Sequence, residues 1–331
     1  MRLDGNDPAA VEQAATLLAA GELVAFPTET VYGLGARADD DDAVARIFHT
    51  KGRPAGHPLI VHVADAADAQ HFAARIPPVA RRLMDAFWPG PLTVIVPRAA
   101  GVAGAAAGGQ GSVGLRSPAH PVAQALLTAA RRLGVAGVAG PSANRFGRVS
   151  PTRAAHVEAE FGSALAVLDG GPCAVGIESS IVDCSRDRPV LLRPGMLTRA
   201  RIEAVVGEDL HEPDADAPRA SGTLEAHYAP NAQVCLLSEP MLRSALHRRG
   251  DQAPELAVYS FGAPSQDATR VRYRRMPAQP ALVARELFSV LREFDDEGVQ
   301  LIWIEEPPQN SEWDGVRDRL RRAAASSSQP Q

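Results

Sequence analysis

Lys51 is the single lysine among 34 basic residues in this 331-residue chain, so every other cation is an arginine. The two side chains differ in kind: arginine is a planar fork, whereas lysine is a compact point charge that fits among phosphate oxygens. Lys51 opens the run Lys51-Gly52-Arg53-Pro54, soon after Pro27-Thr28-Glu29-Thr30-Val31-Tyr32-Gly33. A cation pair on a turn stiffened by Gly and Pro suits a grip on polyphosphate. Other polar residues fall at predicted strand ends and loops of the first two hundred positions: Thr28, Thr30, Tyr32, His62, Arg116, Ser142, Asn144, Ser150, Ser179, Ser180 and Arg193. They supply cations and hydroxyls without an obvious nucleophile. Such a set suits a reaction run by positioning and charge neutralisation, as in nucleotidyl or phosphoryl transfer.

Several chemistries are excluded. Lys51 is followed by Gly52, and no GxxxxGK[ST] run occurs, so there is no P-loop. The glycine-rich stretch 101–111 lacks a GxGxxG at a strand-to-helix turn and reads as a mobile loop. No HExxH and no paired cysteines suggest a transition metal held by the protein. Ser142 lies in Pro-Ser-Ala, not GxSxG, which gives an acyl-enzyme no support. Cys173, Cys184 and Cys235 form no CxxC pair, and an odd number argues against a disulfide framework; Cys173 and Cys184 read as small buried apolar residues. The net charge of −5 and an aromatic content of 5% speak against a dedicated RNA-binding or regulatory module. No apolar run approaches a membrane span and the N-terminus lacks a signal-peptide pattern, so the cytoplasm is the expected location.

At 331 residues the chain is expected to hold two domains. Asp7-Pro8 starts a helix with a cap and a first-turn proline, and Gly21 stops it. Leu23 to Phe26 reads as a buried strand that delivers Thr28 and Thr30. Asp39 to Asp42 place negative charge at the start of a helix ending near His49, leaving Lys51 and Arg53 in the following loop. Further strands are expected over Pro58–Val63, Leu92–Val96, Ser112–Leu115, Val135–Ala139, 165–169, 179–184 and 189–192, with helices near 65–74, 77–87 and 119–133. Strands interleaved with helices at uneven spacing indicate an α/β class with a mixed sheet. Residues 207–226 turn to Asp, Pro, Ala, Ser and Gly without periodicity, as a linker does. Strand-like runs at 233–238, 255–260, 270–273 and 300–304 then alternate with helix-like runs at 240–249, 279–296 and 311–323.

Eight motifs occur in order: Pro27 to Leu34, Lys51 to Pro54, Pro58 to His62, Trp88-Pro89-Gly90-Pro91-Leu92-Thr93, Leu115-Arg116-Ser117-Pro118, Pro141-Ser142-Ala143-Asn144, Glu178-Ser179-Ser180-Ile181-Val182-Asp183 and Leu192-Arg193-Pro194-Gly195. In this order they resemble the YrdC-type threonylcarbamoyl-AMP synthases over roughly residues 15–200. His227-Tyr228-Ala229-Pro230 is similar to the motif of the long two-domain members. The resemblance implies a twisted mixed-sheet YrdC-like domain over 1–206 and a linker over 207–231 that closes over the active site. A smaller Rossmann-like α/β domain over 232–323 and a disordered tail over 324–331 would follow.

The resemblance also implies a reaction: L-threonine, bicarbonate and ATP give threonylcarbamoyl-AMP and pyrophosphate, for threonylcarbamoyladenosine modification of tRNA. Thr30, His62, Arg116, Gly140 and Ser179 would hold threonine, with the Arg116 fork matched to its carboxylate. Arg53, His57, Ser112, Ser142, Ser150 and Arg193 would contact ATP, and Tyr228 would close over the nucleotide. Lys51 with Arg53 would neutralise charge as the α-phosphorus is attacked, with Mg2+ held mainly by the phosphates. A tRNA threonylcarbamoyl transferase complex would take the product, and direct tRNA contact is left open. The chain departs from the pattern twice: His57 stands where many members have Asn, and Ser221 to Ala226 differ from the Ser-Pro-Gly-Met type of stretch. A carbamoyl-phosphate-using relative of this chemistry would carry zinc-finger-like and acylphosphatase-like segments, and none is visible. Trp88 and Asn144 read as structural, a packing anchor and a loop hydrogen bonder.

Overall fold

The computed structural model describes residues 1–248, 255–262 and 271–326. It divides into two units, one of Met1–Phe146 with Ser150–Thr223, the other of Gly147–Val149 with Leu224 onward.

In the first unit the chain runs through β1 (Arg2–Asp4), α1 (Pro8–Ala19), β2 (Val24–Phe26), β3 (Gly33–Arg37), α2 (Asp41–Lys51), β4 (Ile60–His62), α3 (Ala66–Phe72), α4 (Pro78–Phe87), β5 (Leu92–Pro97), β6 (Ser112–Arg116), α5 (Pro121–Arg132), β7 (Val138–Ala139), α6 (Ala154–Phe161), β8 (Ala166–Asp169), β9 (Ser180–Asp183), β10 (Val190–Arg193) and α7 (Arg199–Val206). All ten strands form one sheet in the order β1-β8-β2-β3-β7-β4-β6-β5-β9-β10. The ladder is mixed: β4–β6 and β5–β9 are parallel, while β6–β5 and β9–β10 are antiparallel. This is the mixed sheet that uneven spacing anticipates. Capping follows the expected chemistry. Asp7 caps α1 ahead of Pro8, and Asp40 caps α2, its side chain accepting from the amides of Asp42 and Ala43.

Strand alternation sorts the two faces. Val61, Val94, Val113, Leu115 and Val182 point into a core shared with α2, α4 and α7. On the opposite face α1 and α5 cover Val24, Phe26, Val138 and Leu168. Further along that face, Ile60, Ile95, Ile181, Val190 and Leu192 are met by Ala217 and Ala220.

Three expectations need correction. α2 runs on through Lys51, so the lysine is the last helical residue and Gly52, at φ 64°, makes the left-handed stop. The stretch 101–111 is a set of turns with Ala103, Ala106 and Ala107 buried, and Ala106 O accepts from Leu59 N at 2.7 Å, so alanine burial anchors it. Beyond α7, the composition-defined linker packs on the first unit as far as Thr223. Leu210 is buried, His211 N donates to Pro189 O at 2.9 Å, and Arg219 N donates to Gln110 Oε1 at 2.8 Å. Composition registers the lack of periodicity, not the docking of single small apolar residues.

The second unit contains β11 (Gln233–Leu237), α8 (Glu239–Arg248), β12 (Leu256–Ser260), β13 (Val271–Arg275), α9 (Pro280–Asp296), β14 (Leu301–Glu305) and α10 (Asp314–Ser326). Its four strands are all parallel, in the order β11-β14-β12-β13. α9 buries Val283, Leu287, Val290 and Leu291 at helical spacing. Residues 249 and 270, which end two expected elements, lie outside the described residues, as does the tail beyond Ser326.

Candidate active site

The expected site residues of β4 and β6, His62, Ser112 and Arg116, share a sheet face because the registers align them, and Thr93 of β5 joins them there. His62 pairs with Arg116, Ile60 with Gly114, and Thr93 with Ile181. Each lies one residue out of phase with the core-facing valines and leucines, so all project away from that core.

Arg116 is 3% exposed and is held on three sides. Its Nη1 donates to Thr30 Oγ1 at 2.9 Å and its Nε to Gly90 O at 3.3 Å. Its Nη2 lies 2.8 Å from Glu29 Oε1 as an ion pair without the angle of a directed hydrogen bond. Glu29 Oε2 meanwhile accepts from the Ala119 amide at 3.0 Å. Thr30 shares a 2.8 Å hydroxyl contact with Thr28. Beside this group, His62 stands edge-on to Phe26, and its Nδ1 has no hydrogen-bond partner. Burial, with the Arg116 charge second, pushes the imidazole down to about 3, so the ring is neutral at physiological pH. A Cβ built on Gly140 would sit 3.1 Å from that Nδ1, so glycine keeps the space in front of the ring open.

The loop that begins at Gly140 continues to Lys51. The Lys51 Nζ donates to Ser142 O at 2.6 Å and also to Asn144 O, while the Phe146 amide donates to Lys51 O at 2.8 Å. Lys51 is 3% exposed. Burial, followed by the charge of Arg53, holds its ammonium well below the ordinary lysine range. Arg53 Nη2 donates to Pro58 O at 3.0 Å, and the guanidinium lies 5.6 Å from the Phe146 ring centroid. His57 meets the same ring edge-on at 5.5 Å. Burial first, then Arg53 and Arg219, lowers its pKa.

At the other end of the face, Ser179 Oγ contacts Thr93 Oγ1 at 2.8 Å and accepts from Arg193 Nη2 at 3.2 Å. Arg193 also donates to Ser179 O at 3.0 Å and Ser221 O at 2.8 Å. Ser150 Oγ donates to the buried carboxylate of Glu178. Gly195 is required where this strand end crosses the Glu178–Ser180 backbone, since a Cβ there would lie 2.6 Å from Ser180 N. Ser112 lines a small cavity with Pro58, Ile60, Thr93, Ile181 and Ser221.

Thr30, His62, Arg116 and Gly140 are thus brought together, as are Lys51, Arg53, His57 and the Ser142 carbonyl, with Ser179 beside Arg193. Tyr228 belongs to the second unit. There it adopts φ 63°, stacks on Phe288 with ring centroids 5.4 Å apart, and lies under the Arg319 guanidinium. Glu29, Thr93, Phe146 and Glu178 escape the sequence reading. Each sits inside or beside a recognised motif, but only the fold reveals its partner. Tyr32, by contrast, is tied to Asp169 and Gly171 O and serves the scaffold. Cys173 and Cys184 are buried free thiols, pushed up by desolvation.

A neutral buried imidazole and a buried ammonium joined by one loop, with a buried guanidinium beside the imidazole, form the polar centre of this α/β protein. The comparisons then place the chain. The family model described as "Telomere recombination" (Sua5, YciO, YrdC) matches residues 16–195, and the one described as "Threonylcarbamoyl-AMP synthase, C-terminal domain" matches 197–325. A threonylcarbamoyl-AMP synthase of Pyrococcus abyssi is 39% identical over 94% of this chain and 93% of its own. One of Bacillus subtilis is 39% identical over 97% and 94%. The crystal structure of P. abyssi Sua5 complexed with L-threonine superposes with a TM-score of 0.86 at 37% identity, covering 97% of this chain and 96% of that one. The chain belongs to the threonylcarbamoyl-AMP synthase family, in its two-domain form.

Proposed function

We propose that the chain joins L-threonine and bicarbonate and transfers AMP from ATP to the product, giving threonylcarbamoyl-AMP and pyrophosphate. One observation carries the residue roles: the 140–146 loop passes in front of His62 and supplies the carbonyls that hold Lys51, so a single segment joins an amino-acid-binding cluster to a phosphate-binding one.

The Arg116 fork receives the threonine carboxylate, with Thr30 and Glu29 fixing its plane. Neutral His62 offers Nδ1 to a polar group of the amino acid, and Ser179, set by Arg193, closes that side. The threonine amine adds to bicarbonate with loss of water, giving an N-carboxylate. Its oxygen attacks the α-phosphorus of ATP, and the bond to pyrophosphate breaks. Lys51 and Arg53 stabilise the charge that develops there, from a site already desolvated. Ser112, Ser142, Ser150, His57 and Arg193 contact the nucleotide. Among the described residues no cluster of carboxylates or imidazoles could hold a metal by itself, so Mg2+ would be carried mainly by the phosphates, where it would neutralise their charge. The adenylate then passes to an acceptor that modifies tRNA.

Among the described residues no helix is long and apolar enough to cross a membrane. The test is pyrophosphate release from ATP with threonine and bicarbonate each omitted in turn. Release that requires both is expected; release that persists without threonine would refute the assignment.

A further inference from the structure

The first unit is interrupted at one internal place. Phe146 and Ser150 belong to it, while Gly147–Val149 between them belong to the second unit. Those three residues are held there along their whole length. Gly147, at φ 81°, accepts from the Ala229 amide at 2.8 Å, and Arg148 forms a parallel bridge with Ala229. Arg148 Nη2 reaches Asp295 Oδ2 at 3.3 Å, and Arg292 donates to Val149 O. Both partners lie on α9, and Asp295 also accepts from the amides of Asn231 (2.9 and 2.7 Å) and Ala232 (3.0 Å). One carboxylate therefore fastens Arg148 and the entry to β11 at once.

The flanking residues are site residues. Phe146 lies under Arg53 and His57 and bonds the Lys51 carbonyl; Ser150 holds Glu178. Over so short a segment, the covalent chain carries any loosening at 147–149 directly into both. We propose that Arg148, Arg292 and Asp295 are positioning residues for the nucleotide-binding side of the site, acting through Gly147–Val149. The assignment of that side to ATP rests on the proposed function; the mechanical coupling does not.

The test uses the full chain with Arg148→Met, which keeps an apolar stem and removes the ion pair. Arg272→Met, which removes the exposed pair with Glu297 elsewhere in the second unit, is the control. Hydrogen exchange at the Phe146 amide should accelerate in Arg148→Met alone. A non-hydrolysable ATP analogue should bind roughly threefold more weakly, the effect of one partly buried ion pair, with L-threonine binding unchanged and Arg148→Lys restoring part of the loss. Exchange and binding indistinguishable from the control would overturn the inference, as would an equal loss for threonine. If the unsubstituted protein bound no ATP analogue, the proposed function would fail, while exchange at Phe146 would still decide the coupling.

Discussion

Replacing Lys51 by Met separates holding a loop from stabilising a reaction. The side chains are similar in length, so the change removes the charge and both hydrogen bonds while keeping most of the volume. Ser142 O and Asn144 O lose a donor, at a cost of roughly 1–3 kcal/mol each for a buried group left unsatisfied. Against this, an ammonium at 3% exposure no longer has to be desolvated, a penalty of several kcal/mol in typical buried sites. The two terms oppose, and the net change in stability should stay within about 2 kcal/mol. The rate has no such offset: removing one preorganised group from a developing charge costs about 10²- to 10³-fold, or about 3–4 kcal/mol. Thermal unfolding and pyrophosphate release at saturating substrates should therefore diverge, with a small shift in the first and a large fall in the second. Lys51→Arg sharpens the test, because it keeps the charge but forces a planar fork into a site shaped for a point donor, and it too should fail. A Met variant that is fully active, or one whose rate falls only as far as its folded fraction, would refute the reasoning.

Two further substitutions follow from buried ionisable groups. His62 is held near pKa 3, against 6.5 when unfolded, so between those values the unfolded chain binds a proton that the folded ring refuses. Stability should therefore fall as pH drops through this window, by about 3 kcal/mol at about pH 4 from this residue alone. His62→Gln should lose that component; urea midpoints that fall by the same amount between neutral and acid pH in both proteins would contradict it. Glu29→Gln should cost about 3 kcal/mol by leaving the buried Arg116 charge without its partner. The double variant Glu29→Gln with Arg116→Gln should recover part of this; strict additivity in denaturant melts would argue against coupling.

Much of the fold was readable in local chemistry. Asp7-Pro8 and the acidic run at 39–42 marked helix starts because caps act through residues two or three positions away. The strand-helix alternation of the second unit followed from its periodicity. The end of α2 was misplaced because His49 closes a plausible turn, whereas the helix continues until Gly52 offers a left-handed stop. Residues 101–111 and 207–223 looked like free loops because buried alanines such as Ala106, and the docked Ala220, carry no periodic signal.

The ordered motifs alone determined the family resemblance and the kinds of group available to it: one lysine, a set of arginines, hydroxyls and a histidine on a strand. Which of them meet was decided only in three dimensions. Arg116 finds Thr30 and Glu29 more than eighty residues away. His62 loses its charge because Phe26, Gly140 and the sheet exclude water from it. Lys51 is buried by carbonyls from a loop some ninety residues downstream. Residue type and spacing act along the chain, within a few positions. Burial, desolvation and strand register depend on segments far apart in sequence, and those set the charge state and reach of each group.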